Sequence, residues 1–195
     1  MAFRAQDRNS LALAAVLLAA CSSAPPAPEW QGNAAGSLQV FQSRYLAGDS
    51  KGADDAFNFA RSELTATGRA ELVARVELIR CAAQVASLVF ERCDGFERLR
   101  VDAGAEERAY ADYLEGRVPR AASSQPFSQL VAYGVQMRTT RITPQEISAA
   151  VDISSSQGWR RPLLAWLGVQ LKRAEAAGDS ETAERLKRRI ELVSG

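Results

Sequence analysis

Arg69 to Cys93, RAELVARVELIRCAAQVASLVFERC, is the stretch on which the fold turns. Leu72, Val76, Ile79, Ala83 and Ala86 step by four, three, four and three residues. That rhythm places all five on one side of an α-helix. Glu71 and Arg75, four apart on the wet side, are spaced as a supporting ion pair. Where the helix stops is a question of geometry. A regular helix from Cys81 to Cys93 would hold the two residues about 18 Å apart at 1.5 Å per residue. A disulfide needs Cα atoms within about 7 Å. Either the helix ends near Ser87 and Leu88-Val89-Phe90 turns back, or both thiols are free. The β-branched and aromatic character of that run favours the turn.

Outward from this helix the signal stays helical. On the N-terminal side, Val40, Phe41, Tyr45 and Leu46 form a stripe that stops at Gly48. Ala53, Ala56, Phe57, Ala60 and Leu64 form the next, ending near Gly68. The five residues Gly48 to Gly52 between them are short enough to make the two helices antiparallel neighbours. On the C-terminal side, Asp94 and Glu97 open a short helix to about Val101. Ala105 to Leu114 forms another, with Ala109, Tyr110, Tyr113 and Leu114 inward and Gly116 as its stop. Arg117 to Gln125 is a loop. Pro126 opens a helix to Met137. Thr143-Pro144-Gln145-Glu146 is a capping box with proline at the first helical position. The short helix it starts dissolves into Ser154-Ser155-Ser156-Gln157-Gly158. Pro162 opens the next helix, on a seam of Leu163, Leu164, Leu167, Leu171 and Ala174. The last carries Ala183, Leu186, Ile190 and Val193, with Glu181–Arg185 and Glu184–Arg188 as outer pairs. No stretch alternates as a strand would. The expected fold is all-α, a compact stack of helical hairpins over residues 37–195.

Two hairpins share a turn, Gly48-Asp49-Ser50 and Gly178-Asp179-Ser180, each followed five residues after its glycine by an alanine, Ala53 or Ala183. In the first, Phe57 and Ala60 then fall four and three residues on. This pattern resembles the second helix of a tetratricopeptide repeat, where small residues let helices approach and an aromatic fills the gap. The resemblance covers roughly residues 37–64 and, more loosely, 162–193, where Lys187 stands in the aromatic's place. It implies a concave helical surface that binds peptide or protein segments.

The N-terminus sets the address. Arg4 and Arg8 precede Leu11 to Ala20, an uninterrupted apolar run that closes on small residues, which is the anatomy of a secretory signal peptide at residues 1–20. The run is too short to span a bilayer. Its end, Leu18-Ala19-Ala20-Cys21, resembles the lipobox of bacterial lipoproteins. The resemblance implies that Cys21 becomes the acylated N-terminus. Ser22, where inner-membrane retention would require Asp, implies the periplasmic face of a Gram-negative outer membrane. Several acyl chains together make such an anchor durable. Residues 21–36, rich in Pro, Ala, Ser and Gly, read as a flexible lipidated tether. Within it Trp30 is either a membrane-interface or docking contact, or the first residue to pack on the domain. An oxidising compartment favours a disulfide between Cys81 and Cys93, worth about 3 kcal/mol in the loop-entropy model, over a metal pair. A redox role lacks the Cys-x-x-Cys spacing.

Removing the signal takes Arg4, Arg8 and Asp7 from the 24 basic and 23 acidic side chains, leaving 22 of each. A neutral chain without a basic face is not expected to bind nucleic acid. There is no histidine, which removes the commonest general base and metal ligand together. Gly-Asp-Ser invites comparison with the Gly-Asp-Ser-Leu hydrolases, but Lys51 or Glu181 replaces the leucine and the family's histidine cannot exist here. Without activation a serine is a poor nucleophile. Asp54, Asp55, Glu63, Asp112 and Glu115 are the carboxylates from which glycan-cleaving chemistry could be assembled. Each sits where a solvated charge is expected. Arg160-Arg161 and Lys187-Arg188-Arg189 could meet anionic headgroups or glycan, or simply be solvated faces. The expectation is a lipid-anchored binding or scaffold module for another protein of the envelope, with no catalytic residues, cofactor or metal. A carboxylate enzyme acting on envelope glycan and a purely structural lipoprotein are the alternatives.

Overall fold

The structure, a computed structural model, describes residues 27–195. The expected signal peptide, Cys21 and the first part of the expected tether lie outside the described residues. Nine helices follow one another without a strand among the described residues: α1 Glu29–Ala47, α2 Ser50–Thr65, α3 Ala70–Ala86, α4 Asp94–Glu97, α5 Ala105–Leu114, α6 Pro126–Arg138, α7 Pro144–Ser156, α8 Arg160–Ala176 and α9 Ser180–Ser194.

The first helix starts at Glu29, well before the expected boundary at Ser37. Gly32 and Gly36 weaken its intrinsic propensity. Packing overrides that loss, because Ala34 is buried and Trp30 and Leu38 cover the core formed with α2 and α3. The expected tether bounds of 21–36 therefore run into the folded domain, to which Trp30 belongs. At Gly48 the chain takes the left-handed conformation, φ 94°, that ends α1. Asp49 then caps α2 by accepting from the Gly52 N–H at 2.9 Å. Phe41 and Phe57 meet across the hairpin with ring centroids 5.3 Å apart, and Ala53 is fully buried at the close approach. The second Gly-Asp-Ser turn repeats the device: Gly178 has φ 72° and Asp179 accepts from the Thr182 N–H at 3.0 Å.

Helix α3 does not show the single seam its heptad-like rhythm suggests. It is buried on two sides. Val73, Val76 and Ala83 pack with α1 and α2, while Ala74, Leu78, Cys81, Ala82, Val85 and Ala86 belong to the larger core built with α5 to α9. The expected Glu71–Arg75 pair does not form: Glu71 bonds Arg69 at 2.7 Å and Arg75 reaches across to Glu107 at 2.6 Å. Glu77 is 2 % exposed, its carboxylate held between Arg61 of α2 at 2.9 Å and Arg80 at 2.5 Å. The ions satisfy one another where an unpaired charge would be costly.

The helix ends at Ala86, which is the turning alternative of the two that the cysteine spacing left open. Leu88 takes a left-handed conformation, φ 60°, the chain doubles back, and a disulfide joins Cys81 to Cys93 with Cα atoms 5.9 Å apart. Trp166 of α8 is 0 % exposed and donates its indole N–H to the carbonyl of Ala86 at 3.2 Å, satisfying one of the orphan carbonyls at the end of α3. Helix α6 crosses α3 at Gly134, where the Val85 backbone leaves no room for a side chain.

In α5, Ala111 is buried while Ala109, expected inward, is exposed. Helix α7 continues through Ser156 rather than fraying at Ser154, because Ser154 is buried and its hydroxyl donates to the Ala150 carbonyl at 2.7 Å. Its N-terminus is the expected capping box. Helix α8 begins at Arg160, two residues before Pro162, which a first turn tolerates because its N–H would have no partner there. On α9 the expected ladder is replaced: Glu184 bonds Lys187 at 3.0 Å and Arg185 donates to Thr182. Helices far apart in the sequence are tied together at the turn between α1 and α2. Arg161 donates to the Tyr45 carbonyl and to the Ser50 hydroxyl, both at 2.7 Å, and stacks over the Tyr45 ring at 4.3 Å. Arg161 is thus a structural cation, committed within the fold.

Candidate functional site

Of the cysteines, Cys81 and Cys93 are joined beneath the end of α3, and Cys21 lies outside the described residues. The five carboxylates considered for glycan chemistry are not gathered around one cavity. Asp54 is exposed on α2, where Asp55 bonds Lys51 at 2.7 Å and Glu63 accepts from Asn33 at 3.0 Å. Asp112 pairs with Arg100 and Arg117, and Glu115 also pairs with Arg117, at the far side of α5. Among the described residues no cluster of His, Cys, Asp or Glu has the makings of a metal site, and no helix is long and apolar enough to cross a membrane.

Concavity lies elsewhere. A groove of about 500 Å3 runs above α8, walled by α7 and α9. Helix α8 is the middle of a three-helix layer, each neighbour connected to it by a short turn, so the groove is a direct product of up-down connection. Its floor is apolar, with Ile147 and Val151 from α7, Ala174 from α8 and Leu186 from α9. Arg173, Arg185 and Arg189 line it, and among the described residues none of the three is in an ion pair; Arg185 and Arg189 reach only hydroxyls, of Thr182 and Ser155. Asp152 and Asp179 also line it. Asp179 is engaged at the cap of α9, and the Thr182 backbone N–H holds its carboxyl below the usual range.

A second hollow is a cleft of about 340 Å3 between the loop that follows α5 and the turn that follows α6. The loop contributes Arg120 and the turn Arg141. The turn is strained: Thr140, β-branched, stands at φ 57° in the left-handed region. Gln136 and Tyr113 line the cleft from α6 and α5, and Glu146 from the capping box of α7. The Thr143 backbone N–H keeps the Glu146 carboxyl below its usual range, with the Thr143 hydroxyl and the Gln136 amide adding to the effect. Burial raises the Tyr113 phenol, and pushes that of its neighbour Tyr110 up to about 12. Both are neutral hydroxyls at physiological pH.

A third, about 390 Å3, is an apolar trough where α1 lies against α3, lined by Trp30, Leu38, Leu72 and Ile79. Sequence reading pointed to none of these hollows. The periodicity marks which residues face inward, but which loops and helix ends converge depends on how the hairpins stack. Arg120 and Arg141 carry no local signal at all.

Compared with family models, curated proteins and solved structures, the chain matches none.

Proposed function

We propose that the protein is an outer-membrane lipoprotein, anchored through acylated Cys21 on the periplasmic side, that docks an acidic segment of another envelope protein in the groove above α8. The observation that carries the reading is the groove's composition: three arginines free of carboxylate partners among the described residues, around a floor of Ile147, Val151 and Leu186. Such a surface is complementary to an amphipathic segment whose apolar side chains seat on the floor and whose carboxylates meet the guanidinium groups. Stacked helical hairpins commonly present partners with a concave face of this kind. The anchor rests on the resemblance of Leu18-Ala19-Ala20-Cys21 to a lipobox. With α1 beginning at Glu29, the eight residues from Cys21 to Pro28 span at most about 25 Å, which limits how far the start of α1 can stand from the anchor.

The test is cross-linking of the native lipoprotein in envelopes, with mapping of the partner residues joined. The parent should yield one dominant partner through an acid-rich segment. The Arg185→Glu/Arg189→Glu variant should lose it, and Cys21→Ser should leave the outer-membrane fraction. Retention of the same cross-links by the charge-reversed variant would overturn the docking site, and unchanged fractionation of Cys21→Ser would overturn the anchor.

A further inference from the structure

The cleft between the α5–α6 loop and the α6–α7 turn has a composition that the docking groove does not explain. Two guanidinium groups line it, and among the described residues neither meets a carboxylate. Each is nevertheless held: Arg141 Nε donates to Thr139 Oγ1 at 3.0 Å, and Arg120 lies over the Tyr110 ring at 5.1 Å. A guanidinium has five N–H donors, so both retain donors for a ligand. Two acceptors line the same cleft. Gln136 Oε1 is buried without a hydrogen-bond partner. Glu146 is fixed by Thr143, whose N–H and hydroxyl both donate to Oε2 at 2.8 Å, and its carboxylate keeps further lone pairs free.

This set discriminates between ligand chemistries. A simple anion would satisfy the arginines but leave the Gln136 oxygen unpaired and face the Glu146 charge. A neutral polyol has no use for two guanidinium groups. A ligand carrying a carboxylate and a nitrogen donor on adjacent atoms offers a complementary group to each of the four. Val118, Pro119, Ala132 and Val135 give the cleft an apolar wall, and a volume of about 340 Å3 suits a small ligand with an apolar side chain. The turn that presents Arg141 keeps Thr140 in a left-handed conformation that a β-branched residue adopts only against resistance. Strain of this kind persists where the position of a side chain matters.

We propose that the cleft binds an α-amino carboxylate with an apolar side chain, its carboxylate on Arg120 and Arg141 and its nitrogen on Gln136 Oε1 and Glu146. Free amino acids and the C-terminal residues of peptides share this chemistry, and the assay separates them. The full chain is titrated calorimetrically with L-leucine, N-acetyl-L-leucine, 4-methylpentanoate and isopentylamine. The first two present both functions, as the free acid and as a peptide end; the others each lack one. At least one of the first pair should bind saturably, and whichever is tighter identifies the source. The single-function analogues should be weaker by about tenfold or more, and Arg141→Gln and Gln136→Leu should each weaken the preferred ligand by a similar factor. Equal affinity for 4-methylpentanoate or isopentylamine would overturn the assignment. So would the absence of saturable binding by both leucine ligands at millimolar concentration, or indifference to the two substitutions. None of these failures bears on the groove above α8, which shares no arginine with the cleft.

Discussion

Two glycines inside helices make opposite predictions. Gly134 in α6 and Gly168 in α8 are both mid-helix, where alanine gains about 1 kcal/mol of helix propensity over glycine. Judged on propensity alone, both substitutions stabilise. At Gly168 nothing stands within 4 Å of where a Cβ would lie, so Gly168→Ala should gain up to about 1 kcal/mol. At Gly134 the new Cβ would meet the Val85 carbonyl well inside contact distance, with the carbonyl carbon at 2.8 Å. Backbone cannot rotate away as a flexible side chain would. Helices α3 and α6 must separate, loosening Leu130, Val131 and Val135 from the core at a typical overpacking cost of about 1–3 kcal/mol. Set against the propensity gain, Gly134→Ala should be destabilising by as much as about 2 kcal/mol. For a chain of this size 1 kcal/mol moves the melting temperature by about 2–4 °C. Thermal unfolding followed by circular dichroism should therefore show Gly168→Ala melting higher than the parent and Gly134→Ala lower. A Gly134→Ala protein melting at or above the parent temperature would refute the close approach of α6 to α3.

Replacing both Cys81 and Cys93 with serine should cost about 3 kcal/mol, read as a lower urea midpoint; two reactive thiols in the unreduced, unfolded parent would show that the bridge is not there. Removing both arginines, Arg61→Met with Arg80→Met, should destabilise more than Glu77→Gln, because it strands a carboxylate that is 2 % exposed, whereas the arginines, 41 % and 35 % exposed, can turn to water; the reverse order would refute the triad. In acid, Asp49, Asp179, Glu107 and Glu146 all have lowered folded values, caused first by the Gly52 N–H, the Thr182 N–H, Arg75 and the Thr143 N–H respectively. Their contribution is fully present above the unfolded carboxylate range near about 4 and is lost as the pH falls through the lowered values. The melting temperature should stay level from neutrality to about pH 5 and then drop, and Asp179→Asn should make that drop shallower. In alkali, Tyr110 is raised to about 12 by burial, so its contribution holds below about pH 10 and is lost as the pH rises towards 12. A Tyr110→Phe protein should resist alkaline unfolding better than the parent.

The fold was legible where local chemistry is strong. The capping box at Thr143, the two Gly-Asp-Ser turns and the favoured end of α3 before Cys93 all appear as expected, since each is set by hydrogen bonds or covalent reach over a few residues. Boundaries failed where packing overrode propensity. Glu29–Gly36 is helical because Ala34 and Trp30 find a core, and Ser154 stays helical because it is buried. Charge pairing was the least legible. Arg75 bonds a residue on α5 instead of its own helix neighbour, and Arg161 bonds the α1–α2 turn more than a hundred residues away. Long flexible cations choose partners among everything within reach, and neighbours on a helix offer only a few tenths of a kcal/mol to hold them.

The sequence by itself determined that the folded body is all-α, that Gly48-Asp49-Ser50 and Gly178-Asp179-Ser180 turn between helices, and that Cys81 and Cys93 can bond only if the chain turns between them. These follow from interactions within about a dozen residues. The tertiary structure alone decided that α3 is buried on two sides, that Gly134 is a contact and Gly168 a gap, and that Arg120, Gln136, Arg141 and Glu146 share one cleft. A periodic pattern records how much of a helix avoids water. It does not record which helix does the covering, because apolar side chains attract one another without direction and the choice of neighbour falls to the shape of the whole core.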